Sequence, residues 1–173
     1  MAILPIIKAP DPRLKRRSEP VAVVDRDVRR QLADMLETMY AAPGVGLSAI
    51  QVGVARRLIV IDVAKAPDAP APLKLINPEI IEQSGDTILT EEGCLSFPEQ
   101  FAEVTRPTAV VVRYLDEQGE IRTLRADGLL ARCLQHEIDH LEGKVFVEYL
   151  SPLKRGMILR KMAKVKRLAP AEA

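Results

Sequence analysis

The chain is poor in cysteine, histidine and net charge: 173 residues hold two cysteines, two histidines, no tryptophan, and 25 basic residues against 24 acidic ones. Cys94 and Cys133 are too few and too far apart for a secreted disulfide framework, so reduced thiols in a cytosol are expected. The balanced charge names no partner by itself, and neither DNA nor a membrane is expected as one. Long apolar runs are also missing. The longest, LIVIDVA at 58–64, carries Asp62 and falls far short of the ~20 residues a membrane span needs. The opening MAILPIIKAPDPRLKRR has a short apolar run broken by prolines, unlike a signal peptide, so export is not expected and a soluble cytoplasmic protein is. No internal repeat is visible. The length suits a single domain spanning 1–173 with one sizeable core.

What is present reads as α+β. Val28, Leu32, Met35, Leu36 and Met39 recur at helical spacing after Asp25, a good N-cap, and the pattern stops at Pro43. RRLIVIDV and LKLINPEIIEQ read as strands, and AVVVRYL and EIRTLRA flank DEQG as a hairpin. Between the first two strands, VAKAPDAPAP at 63–72 reads as a surface loop. Asp127 caps an expected helix from about 128 to 142, with Gly143 at its C′ position, and Ser151–Pro152 opens a last helix at about 152–168. The expected architecture is antiparallel or mixed strands packed around a central helix, with further helices toward each end.

Both histidines fall in CLQHEIDHLEG, residues 133–143, spaced as HExxH, an arrangement that chance composition yields in about one chain in a thousand. Placed on a helix, one arc collects Leu129, Leu130, Cys133, Leu134, Ile138 and Leu141 together with His136, Glu137 and His140. The opposite arc collects Arg132, Gln135, Asp139 and Glu142 and is expected to face solvent. Two imidazoles and a carboxylate turned toward an apolar interior are costly unless something satisfies them, and a bound cation does so. Side chains at i and i+4 can reach one ion, with Glu137 placed to take a proton from a water held there.

A catalytic zinc-type centre wants three protein ligands and one open position. The extended protease pattern HExxHxxGxxH is followed through Gly143, but Phe146 stands where its third ligand should be. The alternative downstream glutamate is also missing, since no acidic residue follows Glu148 until Glu172. The third ligand is therefore expected upstream, at Cys94 in TEEGCLSFPEQ, a polar, turn-like stretch, although a cysteine filling an apolar gap is an equal reading of Cys94 taken alone. Cys133 is less suited, because it sits one turn before His136 on the same helix and would crowd the pair.

PGVGLSAIQVG at 43–53 lacks the residues of a phosphate loop. It suits either a tight turn into a strand or a close backbone approach to a ligand at Gly44 and Gly46, with Gln51 offering an amide. The tail KRGMILRKMAKVKR, 154–167, holds seven basic residues and no acid, with an apolar stripe of Met157, Ile158, Met162 and Val165. A solvated charged face is its ordinary reading.

Taken in order, GVGLSAIQ at 44–51, EGCLS at 92–96 and QHEIDH at 135–140 resemble the GxGxAAxQ, EGCLS and HExxH signature of the peptide deformylases. The likeness runs from ILPIIKAPDPRL to the last helix. Ser48 departs from the usual alanine, and Phe101 stands where many bacterial members have arginine after PEQ. The resemblance implies that Cys94, His136 and His140 hold one divalent metal, Fe²⁺ in the cell with Zn²⁺ or Ni²⁺ as alternatives. It further implies Glu137 as general base and acid, and Gln51 with the Leu95 backbone N–H facing the developing oxyanion. The implied substrate is an N-formylmethionyl nascent peptide, its methionine side chain lined by Val45, Gly46, Leu129 and Cys133. The basic last helix would dock on the ribosome near the exit tunnel. An HExxH peptidase and a ribosome-binding module with a structural, four-ligand metal are the competing readings.

Overall fold

The computed structural model describes residues 2–64 and 69–168, so the loop expected at 63–72 lies partly, at 65–68, outside the described residues. Three α-helices and seven strands follow one another: α1 Arg26–Ala41, β1 Gly46–Ser48, β2 Leu58–Ile61, β3 Leu73–Gln83, β4 Thr87–Cys94, β5 Phe97–Pro107, β6 Ala109–Leu115, β7 Ile121–Asp127, α2 Gly128–Leu141 and α3 Pro152–Leu168. The result is α+β. Five strands form one sheet in the order β1-β2-β3-β6-β7, and β4 with β5 forms a separate two-stranded sheet. All of these pairings are antiparallel, and the parallel element among the described residues is a single bridge between Glu19 and Arg56.

The larger sheet separates two layers of core because side chains alternate across it. From β2, Ile59 and Ile61 join Leu75, Val110 and Val112 against Ala131, Leu134, Ile138 and Leu141 of α2. Leu58 and Val60 point the other way and pack with Val28, Leu32, Met35 and Met39 of α1. Burial on both faces explains why LIVI is continuously apolar rather than alternating. The Asp25 side chain accepts from Val28 N–H and starts α1 where its spacing predicts. A third cluster joins Ile7 and Leu14 to Phe97, Val104, Phe146 and, from α3, Ile158 and Met162. The apolar stripe expected on α3 therefore divides: Ile158 and Met162 are buried, whereas Met157 and Val165 stay exposed beside Leu153 and Leu168.

Four local expectations need correction. Asp127 occupies the N-cap of α2 but its side chain makes no capping hydrogen bond. Gln135 is buried, not solvated: its amide nitrogen donates to the carbonyls of Pro107 and Ala131, because the β5–β6 corner folds over that side of α2. The stretch TEEGCLSFPEQ is not simply a polar turn. Its two ends are strands, joined by a tight turn at Leu95 and Ser96. The strand expected across RRLIVIDV is confined to Leu58–Ile61, since Asp62 leaves the ladder to accept from the Ala64 and Ala71 N–H groups and from the Tyr40 hydroxyl.

Gly143 ends α2 at φ +75, and a Cβ there would lie 2.3 Å from the Lys15 carbonyl oxygen. Gly143→Ala is expected to destabilise by at least the 1–3 kcal/mol, roughly, of a non-glycine residue held in the left-handed region. Gly85, with nothing within 4 Å of its Cβ position, serves as the control. Urea unfolding of Gly143→Ala and Gly85→Ala should show a clear loss only in the first; equal midpoints would refute this account of the helix end.

Candidate metal centre

The HExxH motif lies on the middle of α2, with His136, Glu137 and His140 all buried. The β4–β5 hairpin delivers Cys94 at the end of β4, just before its turn, so that ligand atoms of Cys94, His136 and His140 lie within 4.8 Å of one another. Cys94 Sγ is 3.4 Å from His140 Nε2. That separation suits the edge of a tetrahedron built on bonds of ~2.0–2.3 Å, and one thiolate with two imidazoles is a donor set for a borderline transition metal. Three ligands leave a fourth position open. Cys133 is not part of the cluster; its thiol is pushed far up by burial and by the nearby Glu137 and Glu92 carboxylates.

A second set of residues orients the first. His136 Nδ1 is 3.1 Å from Glu92 Oε1, and because a carboxylate only accepts, the imidazole carries its proton there and turns Nε2 toward the cluster. Arg106 holds Glu92 with Nε at 2.5 Å and Nη2 at 2.9 Å, while its Nη1 donates to Asp139 Oδ2 at 2.9 Å. The Tyr149 hydroxyl donates to the same Asp139 oxygen at 2.7 Å, and its ring covers the Arg106 guanidinium. Burial raises the Glu92 pKa, but the bonds from His136 and Arg106 outweigh it and leave the carboxyl below its ordinary value. None of Glu92, Arg106 and Tyr149 stands out in the sequence, and the helical wheel puts Asp139 on the solvated face. Glu92 sits in the quoted EGCLS segment, where a buried acid two residues before a ligand was the available signal. Arg106 carries none.

Electrostatics at the cluster favour a cation. Burial opposes charge on His136, yet Cys94, Glu92 and Glu137 around it outweigh burial and hold its pKa well above the ordinary value. Burial keeps His140 neutral, as a ligand must be. Burial also pushes the Glu137 carboxyl up to about 7, against His136 and Arg106. Among the described residues Glu137 Oε2 has no hydrogen-bond partner although it is buried, and Glu137 helps line a cleft of about 480 Å³. These residues fit a divalent metal with Glu137 beside it.

The glycine-rich stretch forms one wall of that cleft. β1 is followed by a 3-10 turn, Ala49–Val52, that turns Gln51 inward. Gln51 Oε1 accepts from both the backbone N–H and the hydroxyl of Ser48, each at 3.0 Å, which directs its nitrogen toward Ser96 Oγ at 3.0 Å and Cys94 Sγ at 3.5 Å. Ser48 is thus a polar clamp on the amide rather than packing. Val45, Gly46, Leu95, Leu129 and Cys133 line the cleft with Cys94, His136 and Glu137, whereas Gln51 and His140 lie behind it. A Cβ on Gly46 would come within 2.9 Å of Cys133 Sγ and 3.1 Å of Glu137 Oε1, so the bare backbone is what lets β1 approach α2.

A family model described as Polypeptide deformylase matches residues 3–156. The peptide deformylase of Rhizobium meliloti is 50% identical over 173 residues, 100% of this chain and 99% of that protein. The crystal structure of peptide deformylase from Ehrlichia chaffeensis in complex with actinonin superimposes with a TM-score of 0.92 at 44% identity, covering 96% of this chain and 99% of that one. That of a peptide deformylase from Legionella pneumophila gives 0.89 at 46% identity, covering 96% and 97%.

Replacing the residue that orients a metal-bound histidine typically costs 10–100-fold in affinity. Glu92→Gln is expected to lose metal to a chelator faster by roughly that factor. Stopped-flow competition against a chromophoric chelator measures it, and an unchanged rate would remove Glu92 from the orienting role.

Proposed function

This chain belongs to the peptide deformylase family, and on that premise we propose which of its residues carry the reaction. The enzyme is a metal-dependent hydrolase that removes the formyl group from the N-terminal formylmethionine of nascent polypeptides and releases formate. Cys94, His136 and His140 hold the metal, Fe²⁺ in the cell, with Zn²⁺ or Ni²⁺ accepted by the same donors. The observation that carries the assignment is the convergence of their ligand atoms within 4.8 Å beside the buried, unpartnered Glu137 Oε2.

A bound divalent ion supplies Lewis acidity, polarising the formyl carbonyl and making water a nucleophile near neutral pH. The chain's own residues do the rest. Glu137 accepts the proton of the attacking water and returns it to the departing amine nitrogen, a task suited to a carboxyl pushed toward neutrality. The Leu95 N–H and the Gln51 amide stabilise the oxygen that becomes negative; of the two Gln51 N–H groups, the one in the long 3.5 Å contact to Cys94 is the freer to turn. The methionine side chain lies among Val45, Gly46, Leu129 and Cys133 in the apolar part of the cleft. A peptidase reading lacks its downstream ligand, and a structural metal would need a fourth one.

The C-terminal helix extends the reading to a site of action on the ribosome, near the exit tunnel in the cytoplasm. Ile158 and Met162 anchor α3 in the core, which leaves Lys154, Arg160, Lys161, Lys164, Lys166 and Arg167 exposed and suited to phosphate-rich RNA. Among the described residues no helix is long and apolar enough to cross a membrane.

Anaerobically prepared, Fe²⁺-loaded protein is expected to release formate from formyl-Met-Ala-Ser, and Glu137→Gln to retain metal while kcat falls by roughly 10²–10⁴. No release from a metal-loaded parent, or full activity in the variant, would overturn the assignment. Ribosome co-sedimentation should weaken with salt, and the triple variant Lys154→Glu, Lys161→Glu, Lys164→Glu should bind less with a shallower salt slope. Binding insensitive to both would exclude the helix as the docking element.

A further inference from the structure

Ser48 is fully buried between Leu47 and Ala49, both part of the apolar cluster that α1 packs against. A hydroxyl out of water is costly unless it is paired. Here it donates to Gln51 Oε1 at 3.0 Å, and the Ser48 backbone N–H donates to the same oxygen at 3.0 Å. A backbone N–H only donates, so the amide end beside Ser48 is the oxygen and the end beside the hairpin is the nitrogen. That oxygen has two lone pairs, and the two groups of Ser48 fill both.

The backbone around this amide is pinned from behind by one segment near the N-terminus. The Gln51 carbonyl accepts from the Ile7 N–H at 2.7 Å, and the Ser96 carbonyl accepts from the Ala9 N–H at 2.8 Å. What remains free is rotation of the amide itself. Its Nε2 donates to Ser96 Oγ at 3.0 Å and to Cys94 Sγ at 3.5 Å, so the bond to sulfur is the longest on the side chain and the first to respond when the grip on the oxygen loosens.

We infer that Ser48 is a positioning residue: through Gln51, its hydroxyl keeps an N–H on the Cys94 sulfur. The inference deepens the deformylase reading above and rests on it for its kinetic consequence. Bonds in a chain reinforce one another, so two donors on Oε1 make the Gln51 N–H groups stronger donors. A donor on a thiolate draws charge off the sulfur, and bonds of this kind tune the metal that the thiolate holds. With alanine at position 48, one lone pair of a buried oxygen is empty and the amide is held by a single donor.

The test uses protein loaded with Co²⁺, whose thiolate-to-metal charge-transfer absorption reports the Cys94 sulfur directly and without substrate. Ser48→Ala is expected to move that band to longer wavelength, since a sulfur relieved of a hydrogen bond gives up charge more easily. The same variant is expected to lower kcat for formyl-Met-Ala-Ser by roughly two- to tenfold, the worth of one net hydrogen bond, with KM little changed. In a Gln51→Leu background, replacing Ser48 is expected to alter neither the band nor kcat further, because the path runs through the amide. An unmoved band in Ser48→Ala, or an equal shift with and without Gln51, would overturn the inference. So would a lower urea midpoint with band and kcat unchanged, which marks a purely structural hydroxyl. A parent that holds cobalt and releases no formate would sink the deformylase reading, and the band would still decide the role of Ser48.

Discussion

Helix α2 turns two imidazoles and a carboxylate into the interior that also receives Leu134, Ile138 and Leu141, and every other feature of the molecule answers to that conflict. Polar groups out of water must be paired, and charges cost more than dipoles. The fold meets this requirement on one side with a metal-sized cluster of S and N donors and on the other with a chain of fixed partners. Glu92 accepts from His136 Nδ1–H and from Arg106, Asp139 accepts from Arg106 and from the Tyr149 hydroxyl, and the Tyr149 ring covers the Arg106 guanidinium. A buried ion pair of this kind is poor evidence for stability, because desolvation offsets much of the Coulomb gain. Its value lies in geometry. The bidentate Arg106–Glu92 contact leaves the carboxylate little freedom, so the His136 ring presents Nε2 in one direction.

Gln51 shows the same logic with neutral groups. An amide is symmetric in shape, and either end can point at the cluster. Two donors from Ser48 on the oxygen remove the ambiguity, since an oxygen held that way leaves only nitrogen to face Cys94 and Ser96. The Ser48 hydroxyl thus reinforces an orientation that the backbone N–H of residue 48 already imposes.

How much of this was legible depended on whether a feature is local. The HExxH spacing, the Asp25 cap, the Gly143 stop, the hydrophobic period of α1 and the continuous apolar run of β2 are all set within a few residues, and each reads directly from the chain. The orienting chain was hidden because its members come from β4, β5, α2 and the segment after it, and Arg106 in TRPT looks like any strand arginine. Gln135 was misread for a related reason. A helical wheel assigns a face by angle alone, whereas one of the two carbonyls that pair with Gln135 belongs to Pro107, 28 positions away. The hairpin carrying Cys94 was obscured by its polar outward face, which masks the period-two pattern that Glu92, Val104 and Arg106 would otherwise complete with Cys94.

The two-stranded β4–β5 sheet is the weakest unit in isolation, since a lone hairpin is marginal in water. It is held to the rest by Phe97 and Val104 in the cluster with Phe146, and by the Arg106 and Glu92 contacts to α2. A metal shared between Cys94 on this hairpin and His136 and His140 on α2 would add a third tie between the same two elements. Binding that requires both elements in place stabilises the assembled state in proportion to the logarithm of metal over its dissociation constant. Metal affinity and the attachment of the cleft's lip are therefore one equilibrium viewed from two ends. Whatever loosens the hairpin weakens the centre, and whatever fills the centre fixes that wall of the cleft.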